Sequence, residues 1–382
     1  MIGFFAIFST TISKSPVLPL YIHALGGKEI IIGLISAFSP LAGMLFSFPV
    51  GILSDRIGRK KLLIISGVIF VISPLLYLMV QSPVWLIPIR FFHGLATAIL
   101  GPVASAIIVS AYSKSKGEKL GIYSSSTLIG RTLAPMLGGF IISYFANPAI
   151  PIASFRLVYV AAFILAVPVF ILILFIKDEK QKTAPITKNA FYLDLKYFFT
   201  NRRLFSTAIV EMATYFAYGA FETYLPLYLT QFNIPVYQIG LIFSIQILSI
   251  ALSKPLFGKL ADKIDKRKQI LGGILLLGIA MGVIGLFHSI ISVLIIGIIF
   301  GLGLSFSTIA TSTYAAEVTK KDKLGASFGG LSAIMDVGQT IGPLLTGIII
   351  TYFSFKLGFT LSLILAFISA VIFYICNRNK NK

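Results

Sequence analysis

The chain has 382 residues, of which 57% are hydrophobic and only 12% charged, and its net charge is +19. This much apolar surface exceeds what one soluble core can bury, so the composition excludes an ordinary soluble domain and predicts that most of the chain faces lipid. The single cysteine excludes a disulfide within the chain.

Hydrophobic segments of membrane-spanning length follow one another along the chain, and many contain Gly and Pro, which lipid-embedded helices tolerate. We number them as spans one to twelve. They cover residues 2–25, 30–53, 61–81, 83–112, 121–146, 154–176, 204–230, 236–258, 270–289, 291–316, 325–353 and 357–376. The sequence therefore predicts an all-α integral membrane protein with twelve transmembrane helices.

The basic charge follows membrane topology rather than a nucleic-acid surface. If the N-terminus is inside, the loops on the outer side carry only three basic residues, Lys28, Arg156 and Lys356. This is the positive-inside rule, and it predicts cytoplasmic N- and C-termini, contact with the lipid bilayer and no nucleic-acid partner. The first apolar run begins at Met1 with no basic region before it, so we expect no cleavable signal.

An internal repeat divides the chain in two. The ten residues 51–60 return as 258–267, and other stretches repeat at the same offset of 207 residues (18 to 225, 32 to 239, 55 to 262). A fixed offset indicates two copies of one structural unit, the usual construction of secondary transporters. We expect two pseudo-symmetric six-helix halves, residues 1–176 and 204–382, joined by a cytoplasmic linker at 177–203.

The linker is the one long polar segment, and its apolar residues Phe191, Leu195, Phe198 and Phe199 recur at helical spacing. This pattern is typical of a short amphipathic helix lying on the inner membrane surface. A flexible tether with some hydrophobic residues explains the segment equally well.

The repeated loop predicts a gating contact. Its notable members are Gly51, Asp55, Arg56, Gly58 and Arg59 in the first copy and Gly258, Asp262 and Arg267 in the second. The first glycine of each copy would allow close helix approach, and the aspartate could cap a neighbouring helix, a contact worth about 0.3–1 kcal/mol. Such a contact can hold one side of a cavity shut and break when it opens. The alternative is a plain basic turn that sets topology.

This loop resembles the motif between spans two and three of the major facilitator superfamily, and the resemblance covers essentially the whole chain. Residues 90–94 in span four resemble its Arg-x-x-Gln-Gly element, with His93 in place of Gln. Residues 130–139 resemble the Gly-x-x-x-Gly-Pro-x-x-Gly-Gly element of the drug/proton antiporter branch, with Ala134 in place of one Gly. The positions expected to bend or closely pack these helices are Gly130, Pro135, Gly138, Gly139, Gly342 and Pro343, although ordinary small-residue packing would also use them.

Ionisable residues within membrane spans are costly and usually functional. Seven lie inside the predicted spans: Lys14, Arg90, Arg131, Glu211, Glu222, Lys254 and Asp336. Spans three, six, nine and twelve have none in their interiors. The resemblance implies that these four are outer helices while the others line the central cavity, which agrees with the distribution of charge.

Span seven offers the leading candidates for proton coupling. Glu211, Tyr215, Tyr218 and Glu222 share one helical face. The 207-residue offset makes Lys14 the equivalent of Phe221, the sequence neighbour of Glu222. We therefore hypothesise that Lys14 lies near Glu222 and that Glu222 is the leading proton carrier. A static ion pair is the alternative.

The remaining charges leave more than one interpretation open. Arg131 could meet an anionic substrate group, and Arg90 with His93 could form part of a proton path, although His93 is also typical of helix packing. Asp336 could act in the cavity or brace neighbouring helices. Glu211 could be functional or reach the inner surface, and Lys254 is expected to extend toward the head groups.

No nucleotide-binding loop, metal-ligand spacing or nucleophile–base arrangement occurs in the sequence, so we expect no enzyme activity, no cofactor and no metal. The favoured function is proton-coupled efflux of a small organic compound by alternating access, in a monomer in the cell membrane. One alternative is an uptake symporter or facilitator for a nutrient such as a sugar or organic anion. A membrane receptor that does not transport is another.

Overall fold

A computed structural model describes residues 1–112, 115–147, 150–176, 196–320 and 323–378. The side chains of residues 48, 51–53, 55–57, 116, 117 and 326 also lie outside the description. Within these ranges the chain is helical and contains no strand. The helices are α1 (Ile2–Ile12), α2 (Val17–Ala24), α3 (Glu29–Ile57), α4 (Arg59–Leu78), α5 (Leu86–Ala111), α6 (Lys116–Tyr144), α7 (Ala153–Leu174), α8 (Arg202–Thr230), α9 (Val236–Ala261), α10 (Lys266–Ile284), α11 (Ile290–Val318), α12 (Leu324–Tyr352) and α13 (Phe355–Asn377).

Each predicted span coincides with one helix, except that span one consists of α1 and α2. The interruption contains Lys14 and Pro16. Proline has no N–H to donate and disfavours helical geometry in the residue before it, so the first helix ends ahead of Pro16. Lys14 is thereby placed at a helix break, where it is partly buried.

Nine helical segments of the described chain are long and apolar enough to cross a membrane by themselves. The three spans that do not meet this standard are span one, α6 and α8. Span one falls short because α1 and α2 have only 11 and 8 residues. α6 and α8 contain charged residues such as Arg131, Glu211 and Glu222. The two long helices that miss this standard, α6 and α8, therefore both carry candidate functional residues.

The chain forms two compact units, Met1–Thr183 with Leu225–Ser244, and Ala184–Tyr224 with Ile245–Lys382. In the first unit α1 packs on α6, α3 on α5, and α4 on both α5 and α7. In the second unit α10 packs on α11 and α13. The pairs α4–α5 and α4–α7 thus correspond to α10–α11 and α10–α13, as the sequence repeat predicts.

Large apolar side chains remain exposed on the helices predicted to be peripheral. Ile164 on α7 is 62% exposed, and Phe367 on α13 is 60% exposed. Ile72 on α4 and Ile279 on α10 are also exposed. Such apolar faces would be unfavourable in water and are suited to lipid. The all-helical membrane fold predicted from the sequence is confirmed.

The two copies of the repeated loop end their helices differently. Gly58 separates α3 from α4 with a φ of 104°, a left-handed conformation that glycine adopts at little cost. The equivalent residue Asp265 has a φ of −62° and caps α10 by accepting a hydrogen bond from the Arg267 backbone N–H at 2.9 Å. The equivalent position is therefore occupied by a glycine in one half and by an N-cap aspartate in the other.

The end of the linker is a docked helix. Residues 196–200 are helical, and Phe198 is only 3% exposed because it packs against Leu204, Ala315 and Leu331. A Cβ at Gly330 would lie 2.6 Å from the Phe198 ring, so the absence of a side chain there leaves room for it. The prediction that this helix lies on the membrane surface is therefore wrong for Phe198, whose ring is buried against protein. Phe199 is half exposed. Phe191 and Leu195 lie outside the described residues.

Asn201 fixes the next helix to the same unit. Its side-chain oxygen accepts a hydrogen bond from the Leu204 N–H at 3.2 Å, which caps α8. Its side-chain nitrogen donates to the carbonyl of Val318 at 3.1 Å. The linker helix, the start of α8 and the end of α11 are consequently held together by hydrogen bonds as well as by Phe198.

Candidate functional site

A cavity of 620 Å³ with a mixed polar and apolar lining opens within the second unit. Its walls come from α8, α9, α11 and α12, which are spans seven, eight, ten and eleven. The lining residues are Glu211, Tyr215, Lys254, Thr308, Ile309, Ser312, Thr313, Phe328, Leu331, Ser332 and Met335. None comes from α10 or α13, in agreement with the expectation that spans nine and twelve are peripheral.

Glu211 is the buried carboxylate of this cavity. Its side chain is 8% exposed, and its Oε2 accepts a hydrogen bond from the Thr311 hydroxyl at 2.8 Å. Lys254 contributes an opposite charge to the same wall. The interpretation of Glu211 as a side chain that reaches the surface is therefore wrong. Lys254 is exposed and lines the cavity, and its extension toward the head groups stays a prediction.

Glu222 lies three turns further along the same face of α8. It is also 8% exposed, and its Oε1 accepts a hydrogen bond from the Tyr218 hydroxyl at 3.0 Å. The Tyr218 ring meets that of Tyr215 edge-on, with centroids 6.2 Å apart. The predicted face of span seven is thus continuous, but its first two members line the cavity while its last two form a buried pair.

Sequence reasoning missed the hydroxyl groups that complete the cavity. Thr308, Thr311 and Ser312 recur at helical spacing on α11, so they share the face that meets Glu211. Asp336 follows the lining residue Met335 on α12 but is not itself part of the wall. The stripe of hydroxyl residues on span ten was a signal available in the sequence.

In the first unit, the candidate cations have different surroundings. Arg90 and His93 are each 1% exposed on α5, whereas Arg131 on α6 is exposed. The His93 Nε2 is 3.2 Å from the Thr10 hydroxyl. Lys14 belongs to this unit as well, and its hypothesised proximity to Glu222 stays a prediction.

The glycine-rich element of α6 packs its two sides against different helices. Cβ atoms at Gly130 and Gly138 would lie 2.7 and 3.0 Å from the carbonyls of Phe4 and Ile12 on α1. A Cβ at Gly139 would lie 2.5 Å from the Val236 carbonyl at the start of α9, where Gly240 in turn faces Pro135. The Ser244 hydroxyl also accepts a hydrogen bond from the Met136 N–H at 3.2 Å. The helix continues through Pro135, so these residues serve close backbone packing.

The related glycines of α12 have the same role. Cβ atoms at Gly338 and Gly342 would meet the carbonyls of Met212 and Phe216 on α8, and Gly219 of α8 faces Pro343. The α6–α1 contact of the first unit is therefore repeated as an α12–α8 contact in the second. The looser sequence match in span eleven nonetheless preserves this packing.

We expect Gly139→Ala to lower the free energy of unfolding by about 1–3 kcal/mol, because its methyl group would overlap the Val236 carbonyl. Gly121→Ala, in the same helix, is the matched control. A Cβ there meets no atom within 4 Å, so stability should stay equal or rise by up to about 1 kcal/mol. Denaturant unfolding in mixed micelles measures both. Equal losses in the two variants would contradict this account of the element.

Basic residues of the repeated loop make equivalent contacts in both units. Arg59 donates to the Ser110 hydroxyl at 2.8 Å, and Lys266, at the 207-residue offset, forms a 2.7 Å ion pair with Glu317, the counterpart of Ser110. Lys60 donates to the last carbonyl of α7 at 3.0 Å. Its counterpart Arg267 donates to the last carbonyl of α13 at 3.1 Å. The basic residues thus cap helix C-termini, in addition to any effect on membrane topology.

The aspartate that pairs in the second loop is not the one expected. Asp262 is exposed, and no hydrogen bond joins it to another described residue, whereas Asp265 pairs with Arg267 at 2.9 Å. Hydrogen bonds from the Arg267 side chain lower the pKa of the Asp265 carboxyl, so this pair persists at neutral pH and weakens only as pH falls through the lowered pKa. A Cβ at Gly258 would meet no atom within 4 Å, so close packing does not require glycine there.

In the first loop, the surroundings of Gly51 and the side chains of Asp55 and Arg56 lie outside the described part of the structure. Gly58 and Arg59 are described and have the turn and helix-end contacts given above. No group of three or more His, Cys, Asp or Glu that could hold a metal ion occurs in the described part of the chain.

The sequence matches a family model described as "Major Facilitator Superfamily" over residues 1–238 and 229–382. A relative from Streptococcus pneumoniae, the multi-drug resistance efflux pump PmrA, is 28% identical and aligns over 90% of this chain and 87% of its own length. The riboflavin transporter RibZ of Clostridioides difficile is 26% identical over 76% of this chain and 74% of its own.

Solved structures share the fold at low sequence identity. The nucleoside transporter NupG, as a point mutant, superimposes with a TM-score of 0.83 at 14% identity and covers 99% of both chains. A bacterial homolog of the human lysosomal transporter Spinster gives a TM-score of 0.80 at 16% identity, over 99% of this chain and 94% of its own.

Proposed function

Because the chain belongs to the major facilitator superfamily, and is therefore a multi-pass membrane transporter rather than an enzyme, we propose that it exports a small organic compound in exchange for protons. The observation that carries the proposal is the cavity of the second unit, whose lining includes a buried carboxylate and a lysine. The relatives named as multidrug efflux pumps support export.

Glu211 is the group we assign to proton exchange. It is buried and lines the cavity, into which it can release its proton, and the positive charge of Lys254 favours the ionised carboxylate. Thr311 donates a hydrogen bond to the carboxylate and orients it. Protonation of Glu211 would weaken its attraction to Lys254. Because Glu211 lies on α8 and Lys254 on α9, proton binding would then change how these two helices are held against each other.

The substrate is proposed to bind against the same wall. Tyr215, Phe328 and Met335 provide apolar and aromatic contact, and the hydroxyls of Thr308 and Ser312 provide hydrogen bonds. A compound that approaches Glu211 would compete with its proton. Competition for one carboxylate is sufficient for exchange of substrate against protons in an alternating-access cycle.

Other candidate residues take supporting roles in this proposal. Glu222 is a second proton site with Tyr218 as its hydrogen-bond donor, and Lys14 is its candidate partner. Arg131 offers a cation to anionic substrate groups, and Asp336 braces α12 beside the cavity wall. The repeated loops, with their helix-end contacts at Arg59 and Arg267, are proposed as the gating elements.

Glu222→Gln tests the second proton site. The amide can still accept the Tyr218 hydrogen bond but cannot bind a proton, so we expect proton-driven transport to fall by about tenfold with no loss of folding. Tyr218→Phe is the matched variant, because it removes the hydrogen bond but leaves the carboxylate. Unchanged proton-driven transport by Glu222→Gln would remove this residue from the coupling pathway.

The direction of transport is tested in cells that express the protein. Export predicts lower accumulation of a fluorescent cationic dye than in cells expressing Glu211→Gln, and loss of the difference when the proton gradient is collapsed. Greater accumulation of a sugar, riboflavin or a nucleoside would instead support the uptake alternative. We place the protein in the cell membrane as a monomer with both termini in the cytoplasm, which accessibility labelling of Cys376 near the C-terminus would test.

A further inference from the structure

A cluster of buried polar side chains lies in the first unit, apart from the cavity. It contains Tyr77 from α4, Arg90 and His93 from α5, and Tyr159 from α7, and each is at most 1% exposed. The rings of Tyr77 and Tyr159 stack with centroids 4.5 Å apart, and those of Tyr77 and His93 are 6.0 Å apart. The Arg90 guanidinium lies close to both phenols.

Four polar atoms of this cluster have no hydrogen-bond partner in the described part of the chain. They are the hydroxyls of Tyr77 and Tyr159, Nε of Arg90 and Nδ1 of His93. Buried polar atoms in native proteins are almost always satisfied, and each one left unpaired costs about 1–3 kcal/mol. Several unpaired atoms in one place therefore indicate that a further group binds among them.

The charge of Arg90 determines what kind of group this is. Arginine stays protonated in proteins, and no carboxylate of a described residue forms an ion pair with Arg90. A buried charge without a partner is strongly unfavourable. The missing partner therefore carries negative charge.

The hydrogen-bonding capacity of the cluster points the same way. Arg90 Nε can only donate, both phenols can donate, and His93 can donate from Nδ1 when Nε2 accepts from Thr10. A water molecule accepts two hydrogen bonds, whereas a monatomic anion can accept four or more. We propose that the cluster binds a small monovalent anion, with chloride as the probe, and that this anion holds α4, α5 and α7 together.

Thermal unfolding of the purified full-length protein tests the proposal. The fluorescence of Trp85, the single tryptophan, is followed while sodium chloride replaces sodium gluconate at constant ionic strength. We expect a saturable rise in the unfolding temperature. Arg90→Gln should abolish that rise, and Arg202→Gln, which removes an exposed arginine of the second unit, should retain it.

A second pair of variants covers the possibility that Arg90→Gln does not fold. Tyr77→Phe and Tyr159→Phe each remove one donor, and each should raise the half-saturating chloride concentration about tenfold. Crystals soaked in bromide should show anomalous density between Arg90 and the two phenols. No halide dependence at constant ionic strength, an unchanged half-saturating concentration in both tyrosine variants, or density only for water would overturn the proposal.

Discussion

Glu211→Gln is expected to reduce transport driven by a proton gradient by about a hundredfold, the typical contribution of a positioned proton-transfer group. The amide keeps the volume of the side chain and can still accept the hydrogen bond from Thr311. It cannot bind or release a proton. Exchange of labelled for unlabelled substrate, which needs no net proton movement, should therefore persist in the variant.

A variant that loses proton coupling fails only in gradient-driven transport, whereas a misfolded variant also fails in substrate exchange. Reconstituted vesicles with an imposed pH gradient measure the first, and counterflow without a gradient measures the second. Glu118→Gln is the matched control, because Glu118 is an exposed carboxylate paired with Lys119 at 3.0 Å on α6. Normal gradient-driven transport by Glu211→Gln would exclude this residue as the proton carrier.

Phe198→Ala is expected to lower the free energy of unfolding by about 3–5 kcal/mol, the range measured for removing a buried aromatic side chain. The ring fills a space bounded by Leu204, Ala315 and Leu331, and Gly330 lies directly beneath it. Because Leu331 also lines the cavity, loosening of this packing should weaken substrate binding in addition to stability. Denaturant unfolding in mixed micelles and substrate binding by equilibrium dialysis measure the two effects.

The neighbouring residue provides an internal comparison. Phe199 is 50% exposed, so Phe199→Ala should change the free energy of unfolding by less than about 1 kcal/mol. A linker helix that only rests on the membrane would give the two phenylalanine variants similar, small effects. That result would contradict the docked position of residues 196–200.

The architecture could be predicted from the sequence because its signals are long and repeated. Apolar segments of spanning length, the 207-residue offset and the distribution of basic loops all constrain the same fold. The face shared by Glu211 and Tyr215 followed from helical periodicity alone. The close packing at Gly130 and Gly138 followed from glycine at positions where helices meet.

Tertiary contacts could not be predicted in the same way. The partner of Glu211 is Thr311, 100 residues away, and no spacing in the sequence links the two. Asp265 replaced Asp262 as the paired aspartate because capping depends on where α10 begins, which hydropathy locates only within a few residues. Phe198 looked like a residue of a surface helix because periodicity cannot distinguish lipid from a protein groove as its partner.

Simultaneous recording of proton and substrate flux in vesicles containing the purified protein tests the central claim most directly. The account predicts that addition of a transported cationic drug on one side moves protons in the opposite direction, in a fixed ratio, and that Glu211→Gln loses this linked proton movement. Substrate flux without proton movement, or proton movement in the same direction as the substrate, would contradict proton-coupled export.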